Sequence, residues 1–334
     1  MRITGFGDYL IHFSPQGDER FLQADSMKLS YTGAEANVCA ALALWGMDVS
    51  FVTRLPDHPL ARKGIMFLDS LGINTRHIAH GGSRMGLYFL EKGASVRSAQ
   101  VIYDRMGTGI TEAVPSDFDI EAIMEDTDLL YLTGITPALT ENLFQCALAL
   151  CKAAKERGVK VALDINYRPT LSPAEQAGVV LRTLAPYITC LIGNEEHLKM
   201  LLGVKSEYGE EAREARLSDI AAQTRALLGV EQIAVTVRRT PSASDAIVYA
   251  AFSDGVDFAV SAEHRIHVVD RVGSGDAFSA GLLYALAQGW NTAEAVGFAA
   301  ASNAMKHTIL SDINYATVDE ILRVMKQSGF DVKR

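Results

Sequence analysis

Six short runs of β-branched and aliphatic residues recur along this 334-residue chain, each of them close to uniformly apolar. They are ITGFG near the N-terminus, VSFVT at 49–53, DLLYLTG at 128–134, VKVALD at 159–164, ITCLIG at 188–193 and QIAVTV at 232–237. A strand with one solvated face alternates apolar and polar side chains. These runs do not alternate, so both of their faces must be covered, as in a parallel sheet packed between helices. The segments between them carry helix signals. Thr140 precedes ENLFQCALALCKAAKER, an acidic-to-basic run that complements the helix dipole and stops at Gly158. Ser172-Pro173-Ala174-Glu175 has the pattern of a capping box with proline at the first helical position. Thr317-Val318-Asp319-Glu320 is a second box, opening the last helix. Strand–helix alternation over this length predicts an α/β fold: doubly wound, with a mostly parallel sheet and helices on both faces.

Two regions break the alternation. Residues 8–30 and 83–107 show period-two patterning and turn residues but no helix, which predicts a small antiparallel sheet standing off the main one as a lid. No low-complexity linker or internal repeat separates them from the rest. The expectation is one domain, 1–334, with the lid inserted in it.

Composition narrows the partners. Hydrophobic residues make up 49% of the chain and charged residues 21%, enough apolar material for a large core. The net charge of -9 argues against a broad nucleic-acid-binding face, and any anionic ligand would need local arginine or lysine. The start, MRITGFGDYL, lacks the pattern of a signal peptide, and the apolar stretches are too short and broken for a membrane span. Cys39, Cys146, Cys151 and Cys190 form no C-x-x-C pair and have no histidine at metal-ligand spacing, so free buried thiols and a cytoplasmic location are expected.

The sharpest chemical signal is VVDRVGSGDAFSAGLLYALAQG, residues 268–289. A strand end runs into Gly273-Ser274-Gly275-Asp276 and directly into an Ala/Leu-rich helix. Glycines let backbone approach a ligand, and the first helical turn offers unpaired N–H groups to an anion. A carboxylate at that point suits phosphoryl transfer, with the amides stabilising charge and the acid deprotonating the attacking hydroxyl. A glycine-rich turn with Asp276 as a mere helix cap explains G-S-G-D alone equally well. Gly5-Phe6-Gly7 is not a dinucleotide fingerprint, because Leu10 stands where the third glycine belongs and no helix follows. The chain has no G-x-x-x-x-G-K-[ST] loop. Arg105 and Arg168 lie beside loops at sheet edges and could grip a carboxylate bidentately, although an isolated arginine is more often a solvated surface residue. Tyr88 and Tyr103 fall in the lid, where packing is the commoner role and hydrogen bonding to a polyol the other.

Together these pieces resemble the ribokinase-like (PfkB) carbohydrate kinases along essentially the whole chain. The N-terminal signature of that family is matched by Thr32-Gly33-Ala34-Glu35-Ala36-Asn37-Val38, and its C-terminal signature by Asp270-Arg271-Val272-Gly273-Ser274-Gly275-Asp276. Within the family the chain is most similar to the 2-keto-3-deoxygluconate kinases, through GAEANV, RMGLYFLEKGASVR, VIYDR, LTGITPAL, DINYRPTL and DRVGSGDAF. The resemblance implies Asp276 as general base and Gly273, Ser274 and Gly275 as the anion hole. It implies a sugar-acid pocket of Gly33, Asn37, Tyr88, Tyr103, Arg105 and Arg168, with Asp8 as an early acid facing the sugar. Asn194, Thr236, Arg238 and Asn303, together with Gly273 and Gly275, match the ATP side. Mg²⁺ would arrive with ATP, through water to Glu195 or Glu196, since His197 stands where the family's N-x-x-E motif ends in an acid. A homodimer through the lid is also implied, with no nucleic-acid or membrane partner. The rivals are another PfkB sugar kinase, such as a fructokinase, ribokinase or deoxy-gluconokinase, and a non-catalytic sugar-binding regulator on the same fold.

Overall fold

In the computed structural model, which describes residues 1–327, three short strands, β1 (Arg2–Phe6), β2 (Leu10–Ser14) and β3 (Lys28–Thr32), lead into α1 (Ala34–Leu44). Next come β4 (Asp48–Val52), β5 (Arg54–Leu55), α2 (Pro59–Ser70), β6 (Ala79–His80), β7 (Gly86–Glu91) and β8 (Gln100–Asp104). The middle of the chain supplies α3 (Ile120–Glu125), β9 (Leu129–Thr133), α4 (Ile135–Leu139), α5 (Glu141–Glu156), β10 (Lys160–Asp164), α6 (Ala174–Leu184) and β11 (Cys190–Asn194). After α7 (Glu195–Leu202) and α8 (Arg213–Leu228) follow β12 (Gln232–Ser242), β13 (Asp245–Ser253), β14 (Phe258–Val260) and β15 (His264–His267). Three helices close the chain: α9 (Ser274–Ala287), α10 (Thr292–Lys306) and α11 (Val318–Met325).

All six apolar runs are strands of one sheet, ordered β14–β13–β12–β11–β10–β9–β1–β4, with β15 also pairing β13. Every pair from β12 to β4 is parallel. The reason for the missing alternation is visible along β9. Leu129 and Tyr131 enter the core beneath α1, α9 and α10, while Leu130 and Leu132 enter the opposite core beneath α5, α6 and α8. Each of these side chains is at most 4% exposed, and burying one contributes about 1.5–3 kcal/mol. β10 repeats the pattern, with Ala162 on the first face and Val161 and Leu163 on the second.

Helix boundaries follow local chemistry in most places. Thr140 caps α5, its Oγ1 accepting from the Leu143 N–H at 3.2 Å, and Gly158, just beyond, has φ +69°. Thr317 and Glu320 form the reciprocal capping box of α11. The box expected at Ser172 does not form. Pro173 itself is the N-cap of α6 with no side-chain cap, and Ser172 is drawn inward, its carbonyl accepting from the Tyr167 hydroxyl at 3.1 Å. All four cysteines are buried and unpaired. Among the described residues no helix is long and apolar enough to cross a membrane.

The two non-helical regions meet as a four-stranded sheet, β3–β2–β7–β8. Its outer pairs are antiparallel, but the central pair, β2 with β7, is parallel, in register from Leu10↔Gly86 to Phe13↔Phe89. The lid is therefore mixed, not wholly antiparallel as expected. The physical cause is connectivity: β2 and β7 are joined not by a hairpin but by a long excursion through α1, β4 and α2, which can return the chain in either direction.

Candidate active site

A cavity of about 580 Å³ opens at the carboxyl ends of β10 and β11, walled by the lid on one side and the start of α9 on the other. Open α/β sheets bind ligands at this edge. The structure brings together there Asp8, Gly33, Asn37, Tyr88, Tyr103, Arg105 and Arg168 from the sugar-side set. Asn194, Thr236, Arg238, Gly273, Ser274, Gly275, Asp276 and Asn303 line it as well. Glu195 and Glu196 do not. Glu195 is committed to Arg216, whose Nη1 donates to both of its oxygens at 2.5 and 2.7 Å, and Glu196 is exposed, within the field of Arg238.

The loop before α9 is shaped by two different demands on its glycines. Gly273 has φ +74°, and a Cβ there would collide with the Asp312 carbonyl oxygen. Gly275 faces open space, so its backbone is free to meet a ligand. Ser274 N–H already donates to the Arg271 carbonyl at 3.3 Å and Ala277 N–H to that of Gly273 at 2.8 Å. The amides of Gly275 and Asp276 are left to receive an anion. Asp276 caps nothing: α9 has no side-chain cap. Its Oδ2 instead accepts from Asn37 Nδ2 at 2.8 Å. Burial pushes this carboxyl up to about 7, with Asn37 and Arg168 pulling the other way and the nearby Asp164 adding to the rise.

On the lid side, Arg105 Nη1 lies 3.8 Å from Asp8 Oδ2, and its guanidinium sits 4.2 Å above the Tyr103 ring. Tyr103 stacks on Tyr88 with ring centroids 5.1 Å apart. Both Asp8 carboxyl oxygens are buried with no side-chain hydrogen-bond partner, and burial raises the acid to about 6 against the pull of Arg105 and the Tyr9 N–H. A buried carboxyl facing a cavity is suited to accept ligand hydroxyls. Arg168 is exposed at the cavity wall, follows Asn166 at φ +39°, and has no ion-pair partner among the described residues. Gly33 caps α1 in extended backbone, φ 175°, where any residue is allowed, yet a Cβ would collide with the Asp8 carbonyl. Gly33→Ala should therefore cost about 1–3 kcal/mol through overpacking. Thermal melting checks this, and affinity for a ligand in the cavity should fall because Asp8 is displaced.

The opposite wall is cationic. Arg168, Arg238 and Arg271 all line it, and Arg238 is lowered by desolvation and then by the other two guanidinium groups. Arg238 and Arg271 suit a polyphosphate, with Arg168 between them and the Asp164–Asp276 acids. Asn194 caps α7, its Oδ1 accepting from Glu196 N–H at 2.8 Å. Asn303 donates to the Ser274 carbonyl at 2.8 Å and so supports the glycine loop. His197 is pushed down to about 4 by burial and by Arg168 and Arg238, so its imidazole is neutral at neutral pH.

Four residues escaped sequence reasoning. Asp164, at the end of β10, is buried and raised to about 6, accepting from Asn166 N–H at 3.0 Å and Ser279 Oγ at 3.3 Å. Its signal was an acid ending an apolar strand and opening D-I-N-Y-R-P. Glu35 is 1% exposed, its Oε1 accepting from Thr133 Oγ1 at 2.7 Å and Thr136 Oγ1 at 2.8 Å. That carboxyl explains Gly7, where any Cβ would strike it. Arg271 Nη2 donates to the Ala243 carbonyl at 2.5 Å. Lys306 is fully buried beneath the glycine loop, and no sequence feature marks it.

An anion-binding helix start with a carboxylate of raised pKa beside it, facing a polar, lid-covered cavity, defines a phosphotransferase acting on a small hydroxylated substrate. The chain belongs to the pfkB family of carbohydrate kinases, whose sequence pattern matches residues 3–313. It is similar to the crystal structure of 2-dehydro-3-deoxygluconokinase from Thermotoga maritima, at 36% identity and a TM-score of 0.94, covering 98% of each chain. A 2-dehydro-3-deoxygalactonokinase from Haloferax volcanii is 29% identical over 99% of both chains. A PfkB family carbohydrate kinase from Listeria grayi shares 26% identity with a TM-score of 0.91, covering 98% of this chain and 100% of that one. The fold is the ribokinase-like one, and the protein is a carbohydrate kinase that uses ATP as a substrate.

Proposed function

We propose that the enzyme phosphorylates 2-keto-3-deoxygluconate at its primary hydroxyl, giving the 6-phosphate. The observation that carries this is the meeting of Arg168 and Arg105 with Asp276 in one cavity. A neutral sugar has no need of two guanidinium groups, whereas a carboxylate at one end of the substrate places its other end toward Asp276. The names of the Thermotoga and Haloferax relatives, a gluco- and a galacto-configured ketodeoxy-acid kinase, support the substrate class. In this reading Asp276 takes the proton of the primary hydroxyl as its oxygen bonds to the γ-phosphorus. The bond from that phosphorus to the β–γ bridging oxygen breaks, and the electron pair leaves with ADP. The glycine-loop amides hold the equatorial oxygens. Asp8, Tyr88 and Tyr103 receive the sugar hydroxyls, and Arg238 and Arg271 hold the nucleotide phosphates.

Magnesium fits the site as an ion borne on the nucleotide. No group of three or more His, Cys, Asp or Glu able to hold a metal exists among the described residues, while the acids Asp164 and Asp276 do face the cavity. When bound, the ion neutralises nucleotide phosphate charge. Rates measured at fixed ATP with increasing Mg²⁺ should track the concentration of the MgATP complex, and activity indifferent to Mg²⁺ would contradict this. The lid also offers a dimer surface. β8 is an edge strand with every residue exposed, including Val101, Ile102 and Tyr103 at 45%, 53% and 39%. A homodimer by light scattering, lost on Ile102→Lys, is the expected result.

The deciding experiment is a coupled ADP-release screen over neutral sugars, aldonic acids and both epimers of the ketodeoxy acid. ADP release with the ketodeoxy acids above all others is expected. Preference for fructose or ribose would leave the kinase standing and remove the acid specificity, and no release with any substrate would favour a sugar-binding regulator.

A further inference from the structure

Lys306, on the last turn of α10, has no solvent exposure at all. A buried ammonium must be compensated, because desolvation works against its charged form. Its Nζ donates to the backbone carbonyls of Asp270 at 3.1 Å and Ile309 at 3.2 Å. The carboxylates of Asp270, Asp312 and Asp276 favour its charge and Lys92 opposes it. Lys92 itself lies 3.6 Å from Asp270, and His12 of the lid lies 3.0 Å from Asp312.

This lysine is one part of a clamp on the loop that carries the glycines. The His307 carbonyl accepts from the N–H groups of Val269 and Asp270 at 2.8 and 3.0 Å. Asn303 holds the Ser274 carbonyl, and the Asp312 carbonyl abuts Gly273. Residues 303–312 thus fix the backbone from 269 to 274 at both ends. Within that clamp Lys306 is the contact that ends in a cationic group, opposed by burial and favoured by the three carboxylates, and it lies behind amides whose task is to receive negative charge.

We infer that Lys306 is a positioning residue for phosphoryl transfer: a tethered cation that fixes the Asp270 end of the glycine loop and biases the loop's field toward the transferred phosphoryl group. Amides held in place beforehand need no reorganisation as charge develops, which is where such groups gain their effect. The covalently attached ammonium occupies the space between the Asp270 and Ile309 carbonyls, so no free cation is needed there. The inference rests on the phosphoryl-transfer reading of the Gly273–Asp276 loop.

Steady-state kinetics on the full-length enzyme test it in three parts. Wild-type kcat should be the same in potassium, sodium and tetramethylammonium chloride at equal ionic strength. Lys306→Met should lower kcat about ten- to a hundred-fold, the size expected for losing hydrogen bonds to a charged group. The KM for the sugar acid should stay unchanged, a split that general loosening of the core would not produce. Lys306→Ala should lose activity similarly and recover part of it in methylammonium chloride but not in tetramethylammonium chloride, which has no N–H to give. Three results overturn the inference: a folded Lys306→Met with wild-type kcat, a Lys306→Ala loss that methylammonium leaves untouched, or a wild-type requirement for one particular monovalent cation. Should both variants fail to fold by circular dichroism, the wild-type salt comparison decides alone. Asp276→Asn in the same assay separates the two readings. Its full activity would remove the phosphoryl-transfer reading of the loop, whereas its loss alongside an active Lys306→Met would remove only the role given to Lys306.

Discussion

Asp276→Asn should leave a folded protein whose kcat is lower by about 10²–10⁴, the range for losing a positioned general base. The substitution is nearly isosteric, and the introduced amide can still offer a carbonyl oxygen to Asn37 Nδ2, which donates to the wild-type carboxylate at 2.8 Å. Loss of rate without loss of fold would therefore isolate proton abstraction. The wild-type pH profile should agree with it. Burial raises Asp276 to about 7, and the base must be deprotonated to act, so kcat/KM should fall with unit slope as pH drops below about 7 and level off above it. Asp164, raised to about 6 in the same cavity, couples to it, so the limb belongs to the pair. Stability has the opposite sign. The native carboxyl keeps its proton to about 7, while the unfolded one releases it near 3.8. Between those values the native state binds more protons, so this group destabilises the fold progressively as pH rises. The asparagine variant lacks that term, and its Tm at pH 8 should equal or exceed that of the wild type. A folded variant with near-normal turnover would remove Asp276 from the chemistry.

What the sequence made legible was whatever is written locally. The parallel sheet could be read because both-face burial leaves a run such as LLYLT without alternation. Thr140 and Thr317 could be read as caps because the partner N–H lies three residues away. The cavity position of the glycine loop could be read because close backbone approach at a helix start calls for glycine, and Asp276 stands beside it in sequence. What stayed hidden depends on contacts across the chain. The parallel pairing of β2 with β7 is set by the path of the segment between them, not by either strand. Gly7 has its cause in Glu35, and Gly33 in the carbonyl of Asp8. The box at Ser172 failed because α6 starts one residue later, with Pro173 as its N-cap and Ser172 buried, its carbonyl bonded by Tyr167. Glu195 looked available beside Asn194 until Arg216, 21 residues on, claimed both its oxygens. Lys306 reads as an ordinary basic residue at a helix C-terminus, and only the fold shows that it points under the loop.

Arg168→Ala should weaken use of a ketodeoxy acid by at least ten- to a hundred-fold in kcat/KM, since a hydrogen bond to a charged group is worth about 1.5–3 kcal/mol. Arg105→Ala should fall in the same range but cost less, and the structure gives the reason for the order. Arg105 is 6% exposed, sits 3.8 Å from Asp8 and is stacked on Tyr103. Part of its charge is already answered within the protein. Arg168 is exposed on the cavity wall with no ion-pair partner among the described residues, so its charge is open to a ligand. Its influence reaches Asp164, Asp276, His197 and Arg238, which places it between the base and the nucleotide wall. Removing it should also let the Asp276 carboxyl rise further, moving the acid limb of the pH profile upward, whereas Arg105→Ala should leave that limb in place. Both variants should keep the KM for ATP within a few-fold, because Arg238 and Arg271 remain on the cavity wall proposed for the nucleotide. Kinetics of both variants on the ketodeoxy acid and on a neutral sugar make the measurement. Unchanged constants would show two solvated arginines, and equal losses on both substrates would show that the pair serves the fold or the nucleotide in place of a substrate carboxylate.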